Sequence, residues 1–262
     1  MLRALYTAAS GMEAQQLNID TIAHNLANIN TSGFKLRKAQ FQDLLYQNLR
    51  QAGAANTADT EIPVGLQVGL GTKPVATEII LTQGDFASTN NPLDVVIQGS
   101  GFFQIRQPDG QIAYTRNGSF HMNRDGMLVT SEGDPLDPQI TIPQDQIGIT
   151  IGSDGTVSVM QAGQTEPQQV GRIEIALFQN AAGLQSIGKN LLRTTQASGE
   201  PVTGTAGENG LGTLMSGFTE QSNVSVVEEM VNMIISQRAY EANSKVIRTA
   251  DEMFTQANNV VR

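Results

Sequence analysis

The sequence predicts an α+β fold. A discontinuous α-helical coiled-coil domain is drawn from the two ends of the chain, with a central antiparallel β-rich domain between them. Three observations carry this. Val226, Met233, Tyr240, Ile247, Phe254 and Val261 recur every seven residues toward the C-terminus. Leu2, Leu5, Ala9, Met12, Ile19, Ala23 and Leu26 keep the same three-four alternation at the N-terminus, broken only at Gln16. Between the two ends the apolar period drops to two and the runs stop at Asp-Gly or Asn-Gly pairs. A seven-residue repeat holds one seam of a helix against a partner. A chain with a seam at each end is built to join its ends, its neighbours, or both.

Residues 2–29 read as one helix, roughly 40 Å long, stopped by Asn28, Asn30, Thr31, Ser32 and Gly33. Residues 34–50 are helix-capable again, with Phe34, Phe41, Leu44, Leu45 and Leu49 as the apolar positions. Residues 51–60 are rich in Ala, Asn, Thr and Gly and read as a loop. Residues 62–71 then alternate like an extended arm, with Ile62, Val64, Leu66 and Val68 along one apolar edge. Together with Leu44 and Leu45, that edge is expected to lie against a neighbouring copy. From about Lys73 onward short strands follow: 75–81, 93–97, 102–105, 127–129, 147–151, 157–159 and 173–177. Asp109-Gly110, Asn117-Gly118, Asp125-Gly126 and Asp154-Gly155 supply hairpin turns between them. Turn signals this close together favour an antiparallel sheet over βαβ units.

Residues 196–213 are rich in Gly, Ser and Thr and read as a returning loop. Ser225 and Glu228 then have the spacing of a capping box. The helix they open runs to the end of the chain, roughly 55 Å, with Glu228 and Glu229 at its positive end. Glu241–Lys245 and Arg248–Glu252 are spaced for ion pairs on one face. A second apolar stripe of Ala239, Ala242, Val246, Ala250, Met253, Ala257 and Val260 widens the seam. A helix packed only on its own β domain is the blander reading. The wide arc and its small alanines fit packing among several helices better.

Net charge is −9, and there is no cysteine and no tryptophan. Lys35, Arg37, Lys38 and Arg50 form a small basic collar, too small to make the chain a nucleic-acid binder. The absence of cysteine removes disulfides, thiolate metal sites and cysteine nucleophiles together. The N-terminus lacks the apolar core of a signal peptide, and no apolar run is long enough to span a bilayer. The expectation is a soluble chain without membrane insertion.

A search for chemistry returns little. His24 and His121 stand apart in unrelated contexts, and neither HExxH nor GxSxG occurs. The Gly-rich pieces 65–71 and 99–103 lack the residues of a phosphate loop. Asp109, Asp125, Asp134 and Asp154 are explained by turns rather than by calcium. No catalytic constellation, cofactor site or metal site is expected. A glycosidase-like carboxylate pair is a spatial feature that sequence does not disclose.

Three stretches place the chain in a family. Asn25-Leu-Ala-Asn-Ile-Asn-Thr-Ser-Gly-Phe-Lys35 resembles the N-terminal signature of bacterial flagellar rod and hook proteins. Asn91-Pro-Leu-Asp-Val-Val-Ile-Gln-Gly-Ser-Gly-Phe-Phe103 resembles the motif that opens their β domain. Ser236-Gln-Arg-Ala-Tyr-Glu-Ala-Asn-Ser-Lys245 resembles their C-terminal signature. Residues 44–78 are similar to the corresponding segment of distal rod members. Proximal rod members generally lack a segment of this character, and hook proteins carry a larger middle.

The resemblance implies an axial structural protein without a cofactor. It would be exported unfolded through the flagellar type III apparatus and would polymerise into a hollow distal rod across the periplasm. The implied partners are further copies of the chain, proximal rod proteins, hook protein and the peptidoglycan and outer-membrane bushing rings. It also implies a division into an inner-tube domain (1–30 and 224–262), an intermediate region with the arm (31–72 and 200–223) and an outer β domain (73–199). A proximal rod or short hook protein is the nearest alternative. A rod-associated peptidoglycan hydrolase is the alternative from another class.

Overall fold

The computed structural model describes residues 2–53, 55–57, 60–61, 63–161 and 166–260. Ile62 and Val261, both expected at contacts, lie outside the described residues. Terminal helices flank a central β-rich region, and the chain divides into two compact units.

The first unit comprises residues 1–27, 37–78 and 225–262. Helix α1 spans Leu2–Ala27 and helix α2 spans Val226–Val260. The Glu229 N–H donates to the Ser225 carbonyl at 3.0 Å, which puts Ser225 at the N-cap as its spacing predicts. Residues 34–50, expected to be helix-capable, instead contain strands β1 (Arg37–Asp43) and β2 (Tyr46–Arg50). The expected loop 51–60 holds β3 (Ala55–Thr57), followed by β4 (Thr60–Glu61), β5 (Leu66–Gly69) and β6 (Thr72–Ile79). The pairs β1–β6, β2–β5 and β3–β4 nest into one long two-stranded ribbon. Local propensity lost here to cross-strand pairing, with Tyr46 opposite Gly69 and Arg50 opposite Leu66. The Leu44 N–H also donates to the Gly71 carbonyl at 2.8 Å.

The second unit comprises residues 28–36 and 79–224. Helix α1 stops at Ala27 rather than 29 because the Asn28 carbonyl accepts the Thr31 N–H at 3.1 Å, closing a turn. The main sheet has six antiparallel strands in the order 185–188, 191–193, 112–115, 102–106, 174–177 and 202–205. A three-stranded sheet of 146–151, 156–161 and 168–172 accompanies it. The core is built from Ile97, Phe103, Ile105, Phe120, Leu128, Leu136, Ile140, Val157, Val159, Ile173 and Ile175. Phe103 meets Phe120 edge-on, with ring centroids 5.1 Å apart. The expected loop 196–213 contributes the edge strand Val202–Thr205, which pairs with Glu174–Leu177. Gly204 weakens this edge strand, but its β-branched Val and Thr residues and the ladder hydrogen bonds hold it. Asp109, Asn123 and Asp154 each accept a backbone N–H two residues on, as turn residues do.

Candidate assembly surface

In the first unit α1 and α2 pack antiparallel. The Asn18 Nδ2 donates to the Ser236 Oγ at 2.8 Å, and the Asn25 Nδ2 to the Glu229 Oε2 at 2.9 Å. A Cβ on Gly11 would come within 2.9 Å of the Asn243 Nδ2. Asn25 is also bound to the ribbon: its Nδ2 donates to the Arg37 carbonyl at 2.8 Å and its Oδ1 accepts the Arg37 N–H at 3.0 Å. Ser10 supports the other strand, its Oγ accepting the Thr72 N–H at 3.3 Å.

None of the side chains most deeply buried on the two helices lies on the predicted seam. Ala8, Ala14, Ile22, Asn25, Glu229, Ser236 and Ala250 are buried. Leu5, Met12, Ile19, Leu26, Met233, Ile247 and Phe254 are half-buried, Val226 and Tyr240 are exposed, and Leu2 opens α1. The spacing of the expected Glu241–Lys245 and Arg248–Glu252 pairs does not translate into contact. Among the described residues neither closes an ion pair.

The exposed apolar residues are distributed unevenly. Of 22 large apolar side chains exposed among the described residues, 18 belong to the first unit. Val226, Val227, Met230, Val231, Ile234 and Ile235 form a continuous exposed stripe over the first turns of α2. Sequence reasoning missed five of these six, because only Val226 lies on the heptad line. The signal was present as an i, i+3, i+4, i+7, i+8 pattern beginning at Val227. On the ribbon Leu45 is 85% exposed, Val64 71% and Leu66 52%, whereas Leu44 and Val68 are half-buried. A two-stranded ribbon is marginal by itself, and these largely uncovered side chains add little to its stability in the single chain. A hydrogen bond from the Tyr46 phenol to Asp43 and the carboxylate's charge hold that phenol above its usual pKa.

In the second unit Lys35, the last residue of the N-terminal signature, joins a buried ionic cluster with Glu220 and Arg116. The Lys35 Nζ lies 2.6 Å from the Glu220 Oε1 and donates to the Thr82 carbonyl at 2.8 Å. The Arg116 Nη1 is 3.9 Å from the Glu220 Oε2, and its guanidinium lies 5.6 Å from the Phe102 ring centroid. Burial pushes the Lys35 ammonium below its ordinary pKa against the pull of Glu220, and it pushes Arg116 the same way. Gly33, at φ 71°, brings its N–H to the Glu220 carbonyl at 2.8 Å. Asn223 ties the same region, accepting the Leu36 N–H at 2.7 Å and donating to the Ile80 carbonyl at 3.0 Å.

These polar groups hold backbone segments of the second unit together. His24 and His121 fall in different units, and the His121 Nε2 meets the Ser131 Oγ at 3.4 Å. Among the described residues there is no cluster of metal-ligating side chains, and no helix is long and apolar enough to cross a membrane.

Comparison with known proteins agrees with this arrangement. The family model "Flagella basal body rod protein" matches residues 5–35. "Flagellar hook protein FlgE/F/G D1 domain" matches residues 96–159, and "Flagellar basal body rod FlgEFG protein C-terminal" matches residues 215–260. The chain is 52% identical to the flagellar basal-body rod protein FlgG of Borreliella burgdorferi over the whole of both chains. It is 51% identical to the protein of that name from Buchnera aphidicola over 97% of each chain. Identity to the protein of that name from Bacillus subtilis is 39% over the whole of both.

Proposed function

The chain belongs to the flagellar basal-body rod protein family, structural proteins of the flagellum, and on that premise we propose that it polymerises into the hollow, rigid distal rod. The observation that carries this reading is the concentration of exposed apolar side chains in the unit formed by the terminal helices and the ribbon. Apolar surface on that scale on one unit marks an interaction site. Heterologous contacts between such surfaces that do not close generate a helical filament.

In this reading the terminal segments 1–30 and 224–262 form a coiled-coil wall around a central channel. The ribbon, centred on residues 46–65, lies against a neighbouring copy and opposes bending. The β domain within 73–199 meets the surrounding rings. Export through the type III apparatus and junctions with proximal rod and hook proteins follow from the same role. Deleting residues 46–65 separates this assignment from a proximal rod or short hook protein. Only in the distal rod should straightness depend on the ribbon.

The test uses two charge substitutions on α2. Ile235 is 60% exposed, so Ile235→Asp is expected to leave the melting temperature of the purified chain unchanged while abolishing rods and swimming. An unpaired carboxylate buried at every subunit contact costs several kcal/mol. Ile247 is half-buried within the chain, so Ile247→Asp should also loosen the helix pair of the monomer. Normal rods and motility in the Ile235→Asp strain would remove the stripe from the polymer contact.

A further inference from the structure

We infer that the terminal helices carry a register key: three unlike rungs that admit only one alignment of α1 against α2. The rungs are Gly11 with Asn243, Asn18 with Ser236, and Asn25 with Glu229. From one rung to the next the α1 member advances seven residues and the α2 member retreats seven. This inference concerns the single chain and holds whether or not the chain polymerises.

A key is needed because a seven-residue pattern is degenerate. Sliding one helix by seven residues, about 10 Å, again sets the line of Met12, Ile19 and Leu26 against that of Met233, Tyr240, Ile247 and Phe254. Apolar patterning alone does not choose between such alignments. Unlike polar rungs do, as a single polar seam residue chooses register in coiled coils.

Each slide breaks the key at identifiable atoms. In one direction Asn243 faces Asn18 instead of Gly11. In the native register the Asn243 amide sits 2.9 Å from where a Gly11 Cβ would stand, so a side chain there has to push this amide aside. The same slide carries Glu229, 6% exposed, beyond the end of α1 and away from the Asn25 amide. In the other direction Asn25 faces Ser222, which precedes α2, and Asn243 faces Ala4, which offers no hydrogen-bonding side chain. Asn25 is moreover held by two hydrogen bonds to Arg37 backbone atoms at the base of the ribbon, so its rung is anchored outside the helices. The chosen register sets Leu2 level with Glu252. The last turns of α2, from Met253 onward, therefore run past the start of α1.

The absence of cysteine makes the register directly measurable in the full-length chain. One in-register pair is Asn18→Cys with Ser236→Cys, and its control, slipped by one repeat, is Asn18→Cys with Asn243→Cys. A second in-register pair, Gly11→Cys with Asn243→Cys, leaves the other two rungs intact, and its slipped control is Gly11→Cys with Ala250→Cys. Dibromobimane, which fluoresces on bridging two nearby thiols, reports each pair, and gel mobility separates bridges within a chain from bridges between chains. The in-register pairs should bridge within the chain at least about tenfold faster than the slipped pairs, the ratio expected from one unsatisfied buried polar group. Adding Asn25→Leu and Glu229→Leu should raise the yield of the slipped pairs several-fold. Equal rates for both kinds of pair, no bridging in either in-register pair, bridges between chains only, or slipped pairs indifferent to the leucine rungs would each overturn the key.

Discussion

Replacing Leu45 by Ser separates contacts made within the chain from those made between chains. Full burial of a leucine side chain is worth about 1.5–3 kcal/mol. Leu45 is 85% exposed and sits between β1 and β2, so its share within the single chain is only a few tenths of a kcal/mol. A loss of 1 kcal/mol moves the melting temperature of a protein this size by about 2–4 °C, so the monomer should melt within about 1 °C of wild type. If a neighbouring copy covers Leu45, the polymer loses about 1.5–2.5 kcal/mol at every subunit. Because that loss repeats along the rod, the rods should be short, bent or missing. The assay pairs thermal melts of purified chain with electron micrographs of isolated basal bodies. Straight, full-length rods alongside an unchanged melt would leave Leu45 facing solvent in the polymer. A fall of several degrees in the melt would mean that the ribbon folds onto its own chain. Either result defeats the argument that the ribbon stiffens the rod.

Two further outcomes concern the second unit. Lys35→Met leaves the Glu220 carboxylate, whose side chain is 0% exposed, with Arg116 at 3.9 Å as its remaining cation, and should cost up to about 3–5 kcal/mol by denaturant titration. Because burial lowers the folded pKa of Lys35, the unfolded chain binds the proton more tightly, and this site's contribution to stability rises with pH. The gap between wild type and Lys35→Met should therefore widen from the depressed value up to 10.5, and a gap that narrows there would contradict the burial of Lys35. Gly33→Ala places a Cβ 2.5 Å from the Asn117 backbone nitrogen at φ 71° and should cost at least about 1–3 kcal/mol. A midpoint within error of wild type would show that the turn after α1 relaxes freely.

The local features of this chain were legible because they depend on near neighbours in sequence. The two terminal helices, the Ser225 cap, the turn residues and seven of the strands follow from periodicity and turn chemistry alone, and the three signature stretches were enough to suggest the family. What sequence obscured was decided by partners distant in the chain. Residues 37–50 have the composition of a helix, yet they became strands because residues 66–79 pair with them. Val202–Thr205 looked like a loop and became a sheet edge for the same reason. The heptad count suggested a seam, and the residues buried deepest lie beside it, because a helix surface is continuous and only the partner helix selects the strip it covers. Asn25, Ser236 and Glu229 would not be chosen as buried residues by hydropathy. They are buried because each finds its hydrogen-bond partner on another element, and only the tertiary structure brings those partners together.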